Sequence, residues 1–208
     1  MSKRRTMKKS NLNVEYWFPT PIWNYNLVTI NDYHYKEAIN YCNELKKQSP
    51  GRVFSNSGGW QSDDLSLDNI LSTPLGPFLS EIKPLFLDLM TSIDSPLTAD
   101  FDSIWVNINK KGDKNKTHNH PTASLAGVFY LTEDNSDIVF YRAHCTSVWW
   151  QENLYSKRNT MSTFKEVVYK PTRGYVLFFP PWLHHAVKDN EQNSERISIA
   201  FNINTTYL

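Results

Sequence analysis

"ERISIAFNIN", residues 195–204, alternates two kinds of side chain. Successive side chains of an extended strand point to opposite sides. Arg196, Ser198 and Ala200 therefore share one face, and Ile197, Ile199 and Phe201 share the other. The second face is apolar and asks for a core. The first is small and polar, and it carries a cation. In a barrel packed outside by helices, that polar face is the inner one. An inward arginine is costly unless it meets an anion, so Arg196 marks a cavity suited to a carboxylate.

The preceding segments read as strands too. "FDSIWVNINK" (101–110), "ASLAGVFYL" (123–131), "DIVFYR" (137–142), "EVVYK" (166–170), "GYVLFFP" (174–180) and "HHAV" (184–187) are short, β-branched or aromatic, and separated by turn residues. The first half is helical after an opening strand-like segment, "EYWFPTPIWNYNLV" (15–28). Residues 32–47 place Tyr35, Ala38, Ile39, Cys42 and Leu45 at helical spacing, and residues 75–93 repeat the pattern with Pro84 as a kink or break. The loop "SNSGGWQSDDL" (55–65) between them is a candidate ligand-contacting segment as well as a plain surface turn. Helices first and strands after predict an α+β domain, with helices buttressing one face of a β-sandwich or barrel. A doubly wound α/β fold is disfavoured, because helices do not alternate with the later strands.

The chain has 208 residues and a net charge of +1, with 22 basic and 21 acidic side chains. That length suits one domain, here 13–208, preceded by a disordered basic arm over 1–12. The near-neutral balance gives no support for nucleic-acid or membrane binding. No apolar run follows the basic start, and none is long enough for a membrane span. Cys42 and Cys145 lie far apart, which makes a disulfide framework or a cysteine zinc site improbable. The expectation is a soluble cytoplasmic protein.

Chemistry concentrates in "KTHNHPTASLAGVFYL" (116–131). His118 and His120 share a face if both enter the strand that runs on to Leu131, and paired imidazoles suit a shared metal ion. The spacing alone also arises by chance. "RGYVLFFPPWLHHAV" (173–187) adds His184 and His185, of which only one can face a common centre. His34 and His144 read as ordinary polar residues, and His144 with Cys145 is also a candidate border of the substrate site. There is no Gly-rich phosphate loop and no nucleophile elbow.

Three motifs together resemble the iron(II)- and 2-oxoglutarate-dependent oxygenase superfamily. They are His118-x-His120-Pro121; Phe179-Pro180-x-Trp182-Leu183-x-His185-x-Val187; and Arg196-Ile197-Ser198-Ile199. "FPTPI" (18–22) and "SNSGGWQS" (55–62) resemble the same uncharacterised branch. The resemblance implies a double-stranded β-helix, a cupin-like jelly roll. It selects His185 over His184 and makes His118, His120 and His185 the metal ligands and catalytic centre. Arg196, with Ser198 beside it, would take the far carboxylate of 2-oxoglutarate. Tyr130 is a candidate hydroxyl donor to the cosubstrate, and Asn107 a weaker one. The implied reaction uses Fe(II), 2-oxoglutarate and dioxygen, releases succinate, and hydroxylates a substrate that the sequence does not name.

One departure matters. Most of the superfamily has a carboxylate where this chain has His120. A neutral third ligand leaves the metal its full charge and also suits copper, nickel or zinc. His120 is not small, which disfavours halogenation. Two alternatives follow: a three-histidine cupin-like dioxygenase that does not use 2-oxoglutarate, and a non-catalytic metal-binding jelly-roll module.

Overall fold

The computed structural model describes residues 20–133, 136–142 and 164–207. The basic arm, Phe18 and Pro19 of "FPTPI", and His144 with Cys145 lie outside them. The chain begins with β1 (Trp23–Asn26) and α1 (Asp32–Gln48). Two short strands, β2 (Asn56–Ser57) and β3 (Trp60–Gln61), precede a 3₁₀ turn (Leu67–Ser72), α2 (Gly76–Ile82) and α3 (Leu85–Ser92). The strands of the second half are β4 (Thr98–Asn109), β5 (Lys114–His118), β6 (Leu125–Tyr130), β7 (Ile138–Tyr141), β8 (Glu166–Tyr169), β9 (Tyr175–Phe179), β10 (His185–Val187) and β11 (Arg196–Thr206).

Local chemistry accounts for the helices. Asn31 caps α1 by accepting from the His34 N–H at 3.2 Å, and Asp32 and Lys46–Lys47 complement the helix dipole at its two ends. Pro84 separates α2 from α3: it has no N–H to continue the ladder. Among the described residues, no helix is long and apolar enough to cross a membrane.

Among the described residues the strands form two antiparallel sheets. One runs β1-β9-β6-β11-β4-β3 and the other β2-β5-β10-β7-β8. The jelly roll expected from the sequence is the fold observed. β11 pairs with β4 along its whole length and with β6 on its other side. Its apolar face, Ile197, Ile199, Phe201 and Ile203, packs with Phe78, Leu79, Ile82 and Phe86 of the helices. The helices therefore cover one face of the larger sheet, and the smaller sheet covers the other.

The space between the sheets is divided. On the β6–β9–β7 side it is apolar, filled by Ala126, Val128, Tyr130, Ile138, Phe140, Leu177 and Phe179. On the β4–β11–β5 side it is a polar cavity of about 840 Å³. Gly58 and Gly59, with φ of +68° and +66°, make the turn by which the chain leaves β2 in the smaller sheet and enters β3 in the larger. That turn lays the 51–61 segment across the mouth of the cavity.

Phe78 is fully buried, stacks on Phe129 and meets Tyr35 edge-on at 5.0 Å, so it joins the helices to the sheet. Phe78→Ala is expected to cost about 3–5 kcal/mol of stability. Urea unfolding monitored by circular dichroism measures this, with the sandwich interior and the cavity left in place.

Candidate metal centre

The cavity is lined by strands whose inward faces are in register. Cα partners across β4 and β11 are Asn109 with Arg196, Asn107 with Ser198, Trp105 with Ala200, and Ser103 with Asn202. All eight line the cavity or, for Asn109, stand behind Arg196. The lining thus runs from a cation, through small polar groups, to an indole and a terminal amide.

His118, His120 and His185 meet in this cavity, with one ring nitrogen from each lying within 4.8 Å of the others. No carboxylate joins the cluster among the described residues. Asp113, the acidic residue nearest His118 in the preceding loop, instead accepts from the Lys110 N–H at 2.7 Å. His185 opens β10 and pairs with His118, the last residue of β5. The ring centroids of these two are 4.3 Å apart. His120 stacks parallel to His185 at 5.2 Å, with 3° between the planes.

The route to this cluster differs from the one read in the sequence. His118 and His120 do not share a strand running on to Leu131. β5 ends at His118, and β6 begins at Leu125. His120 lies in the connection that carries the chain from one sheet to the other. Pro121 cannot donate to a ladder, which favours ending the strand there. The connection is held instead by the His120 N–H donating to Pro181 O at 2.8 Å and the Ala123 N–H donating to His120 O at 3.1 Å. The first bond brings His120 to the segment that leads into His185.

A bulge sets the remaining geometry. His118 pairs with His185, but Asn115 pairs with Val187, so three residues of β5 span two of β10. The extra residue lets both Asn115 and His118 face the cavity, where strict alternation would separate them. A second irregularity in the β4–β11 ladder makes Asp102 an extra residue, and Asp102 also lines the cavity at its mouth.

Two of the imidazoles have fixed tautomers. His118 Nδ1 is 2.7 Å from Lys116 O, and His185 Nδ1 is 3.0 Å from Leu183 O. A carbonyl oxygen only accepts, so Nδ1 carries the proton and Nε2 keeps its lone pair in both rings. Burial pushes all three rings toward neutrality. The His118 pKa is lowered by desolvation, with the Lys116 hydrogen bond opposing. Desolvation and then the neighbouring His118 bring His120 down to about 4, against the Asn202 amide. The same two causes bring His185 down to about 3. Phe179 at 4.7 Å and Phe140 at 5.7 Å pack on His185, while Trp105 stacks on His120 at 5.8 Å. The result is a set of neutral nitrogen donors with aromatic walls. Such a set fits a divalent transition metal without losing protons on binding.

Arg196 is 3% exposed and forms the cationic end of the lining. Its Nη1 donates to Asn109 Oδ1 at 3.2 Å and Ser198 Oγ at 3.1 Å, and its Nε is buried with no hydrogen-bond partner. Tyr130 lies beneath it, with its ring centroid 5.0 Å from the guanidinium carbon. Asn107 and Ser198 both line the cavity. The mouth carries Arg52, which bonds Asp64 at 2.5 Å and lies over the rings of Phe54 at 4.9 Å and Trp105 at 5.9 Å. His184 is exposed and His34 is half-buried on α1, away from the cluster. Sequence reasoning missed Trp105 and Asn109, which alternation on β4 places on the face of Asn107. It also missed Arg52, Asn115 and Asn202.

Residues 103–202 match the family described as "Putative 2OG-Fe(II) oxygenase". That stretch, just under half of the chain, is similar to the iron(II)- and 2-oxoglutarate-dependent oxygenases, a superfamily of oxidoreductases. No curated protein matches the sequence. Similar solved structures include a prolyl-4-hydroxylase from Pseudomonas putida, with 12% identity, a TM-score of 0.61, and coverage of 88% of this chain and 92% of that one. HygX from Streptomyces hygroscopicus, solved with nickel and 2-oxoglutarate bound, has 12% identity and a TM-score of 0.61 over 91% of this chain and 84% of that one. A viral collagen prolyl hydroxylase from Paramecium Bursaria Chlorella virus-1, in its 2OG complex, has 13% identity and a TM-score of 0.57 over 88% and 94%. At these identities the structures establish the shared fold.

The depressed histidines link stability to pH. Unfolded, His120 and His185 bind protons near the ordinary value of 6.5; folded, they do so only near 4 and 3. Between those values the unfolded chain holds more protons. Stability of the metal-free protein should therefore fall as pH drops from 6.5 toward 4, and these two groups should leave it flat above 6.5. Urea midpoints across this range test the slope, and His185→Gln should reduce it.

Proposed function

We propose that His118, His120 and His185 hold the Fe(II) of this oxygenase, that Arg196 anchors the far carboxylate of 2-oxoglutarate, and that the reaction hydroxylates a small substrate entering past Arg52 and Phe54. The observation that carries this reading is the placement of three neutral imidazoles and one deeply buried guanidinium on the walls of one cavity. Fe(II) with 2-oxoglutarate and dioxygen supplies the oxidising power, the 2-oxo acid leaving as succinate and carbon dioxide.

The remaining work belongs to the protein. The Lys116 and Leu183 carbonyls hold His118 and His185 with their Nε2 lone pairs free. Three neutral ligands leave a divalent ion its full charge, which a dianionic cosubstrate offsets. Arg196 lines the cavity with Nη1 held by neutral acceptors, and a carboxylate accepts from a guanidinium through parallel charge-assisted bonds. Ser198 and Asn107 add neutral polar groups along the path between that cation and the histidines. Tyr130 supports Arg196 through its ring face. Phe140 and Phe179 keep water from the back of His185, and Trp105 shields His120. The rim combines Arg52, Asp64 and Asp102 with Phe54, which suits a polar substrate with a flat group better than a lipid.

Purified protein supplied with Fe(II), ascorbate and labelled 2-oxoglutarate should release succinate. Oxygen uptake without succinate would instead indicate a three-histidine dioxygenase that does not use the 2-oxo acid. Each of His118→Ala, His120→Ala and His185→Ala should lower iron stoichiometry markedly with the fold intact. Full metal and turnover in His120→Ala would overturn the three-histidine assignment.

Arg196→Met should keep the metal and weaken 2-oxoglutarate binding by about 2–5 kcal/mol, some thirtyfold to several thousandfold. Arg196→Lys, which keeps the charge but loses the planar fork, should lie between it and wild type. Anaerobic titration of the Fe(II) protein, read at the metal-to-ligand charge-transfer band, measures both.

A further inference from the structure

Arg196 is the first member of a chain of hydrogen bonds that leaves the cavity floor and ends at its mouth. Its guanidinium has donors only, so the Asn109 amide must turn its oxygen toward it and its nitrogen away. Asn109 Nδ2 donates to Asn115 Oδ1 at 3.4 Å. With that oxygen facing Asn109, Asn115 Nδ2 points outward and donates to Ser55 Oγ at 3.0 Å. Every bond runs in the same sense, from the cation outward.

The chain crosses the molecule. It starts on β11, passes through β4, reaches β5 in the opposite sheet and ends in the segment that carries Arg52 and Phe54. Asn109 is 1% exposed and Asn115 7%. Amides so deeply buried are costly unless bonded, and apolar side chains would bridge the two sheets at lower cost. Further bonds fix both ends. Asn190 Nδ2 donates to Asn109 O at 3.1 Å, and the Lys116 N–H donates to Ser55 O at 2.8 Å. Asn115 reaches this position because of the β5 bulge that also lets His118 face the cavity.

We propose that Asn109 and Asn115 are positioning residues: a directional relay that holds the Arg196 guanidinium by its Nη1 in the orientation in which it lines the cavity, and ties it to the mouth segment at Ser55. Occupancy of the arginine is thereby felt at Arg52 and Phe54, and a change at the mouth is felt at the arginine. What this says of affinity rests on the cosubstrate assignment above; the relay itself does not.

The test begins with ligand-free protein. The Nε–H resonance of Arg196, assigned by its loss in Arg196→Met, should shift in both Asn115→Ala and Ser55→Ala, and Ser55→Thr should restore it. Ser55→Ala removes one hydroxyl near the surface, so it carries the test if Asn115→Ala fails to fold. An unmoved resonance in Ser55→Ala would overturn the relay.

Calorimetric titration of 2-oxoglutarate into the anaerobic Fe(II) protein should then show affinity about three- to tenfold weaker in Asn115→Ala, the scale of one hydrogen bond, with metal stoichiometry unchanged. Amide exchange at Arg52 and Phe54 should slow on adding 2-oxoglutarate to wild type and respond less in Asn115→Ala. Equal affinity and equal exchange in the two proteins would overturn the coupling. Wild-type protein that binds no 2-oxoglutarate would remove the cosubstrate assignment instead, and the resonance would then decide the relay alone.

Discussion

A guanidinium 3% exposed, with no ion pair among the described residues, is the constraint around which the cavity is arranged. A charge in that position is tolerated only where neutral acceptors and an aromatic face surround it. Asn109, Ser198 and Tyr130 supply these, each from a different strand of the larger sheet. The polar face of β11, the matching polar face of β4 and the amides behind them are responses to one buried cation. The space left between the sheets is the cavity that this cation lines.

The histidine cluster complements this from the other sheet. Burial pushes the three imidazoles toward the uncharged form, which disfavours fixed positive charge around a prospective cation. Under the proposed assignment, the absence of a carboxylate among them would move the balancing negative charge from the protein to the cosubstrate. A site so assigned would have two halves, one a metal with its charge intact and the other a guanidinium, and a dianion would satisfy both. The arrangement makes physical sense of His120 in a position where most of the superfamily has an acid.

Much of this was legible in the sequence. Alternation in 195–204 gave the strand, its two faces and the inward arginine, because a period of two survives any tertiary context. The break at Pro84 and the helix over 32–47 followed from equally local rules. The histidines were read as a cluster for a partly mistaken reason. Their spacing suggested one strand, whereas His120 sits beyond the strand end, placed by a backbone bond to Pro181 that no local pattern encodes. The β5 bulge was equally hidden, since an extra residue shows itself only against its partner strand. Asn115 and Arg52 were missed for that reason: each becomes part of the cavity through contacts distant in sequence. Trp105 and Asn109 were available from the same alternation that singled out Asn107.

β11 separates two incompatible environments along a single strand. Arg196, Ser198, Ala200 and Asn202 face the cavity while Ile197, Ile199, Phe201 and Ile203 face the helices. A slip of one residue against β4 would exchange the two sets, driving the arginine and an amide into the apolar core. The residues that line the cavity therefore also proofread strand pairing as the chain folds. Drift in them is restrained twice, and a sequence that discarded the chemistry would still need a polar face here to find its register.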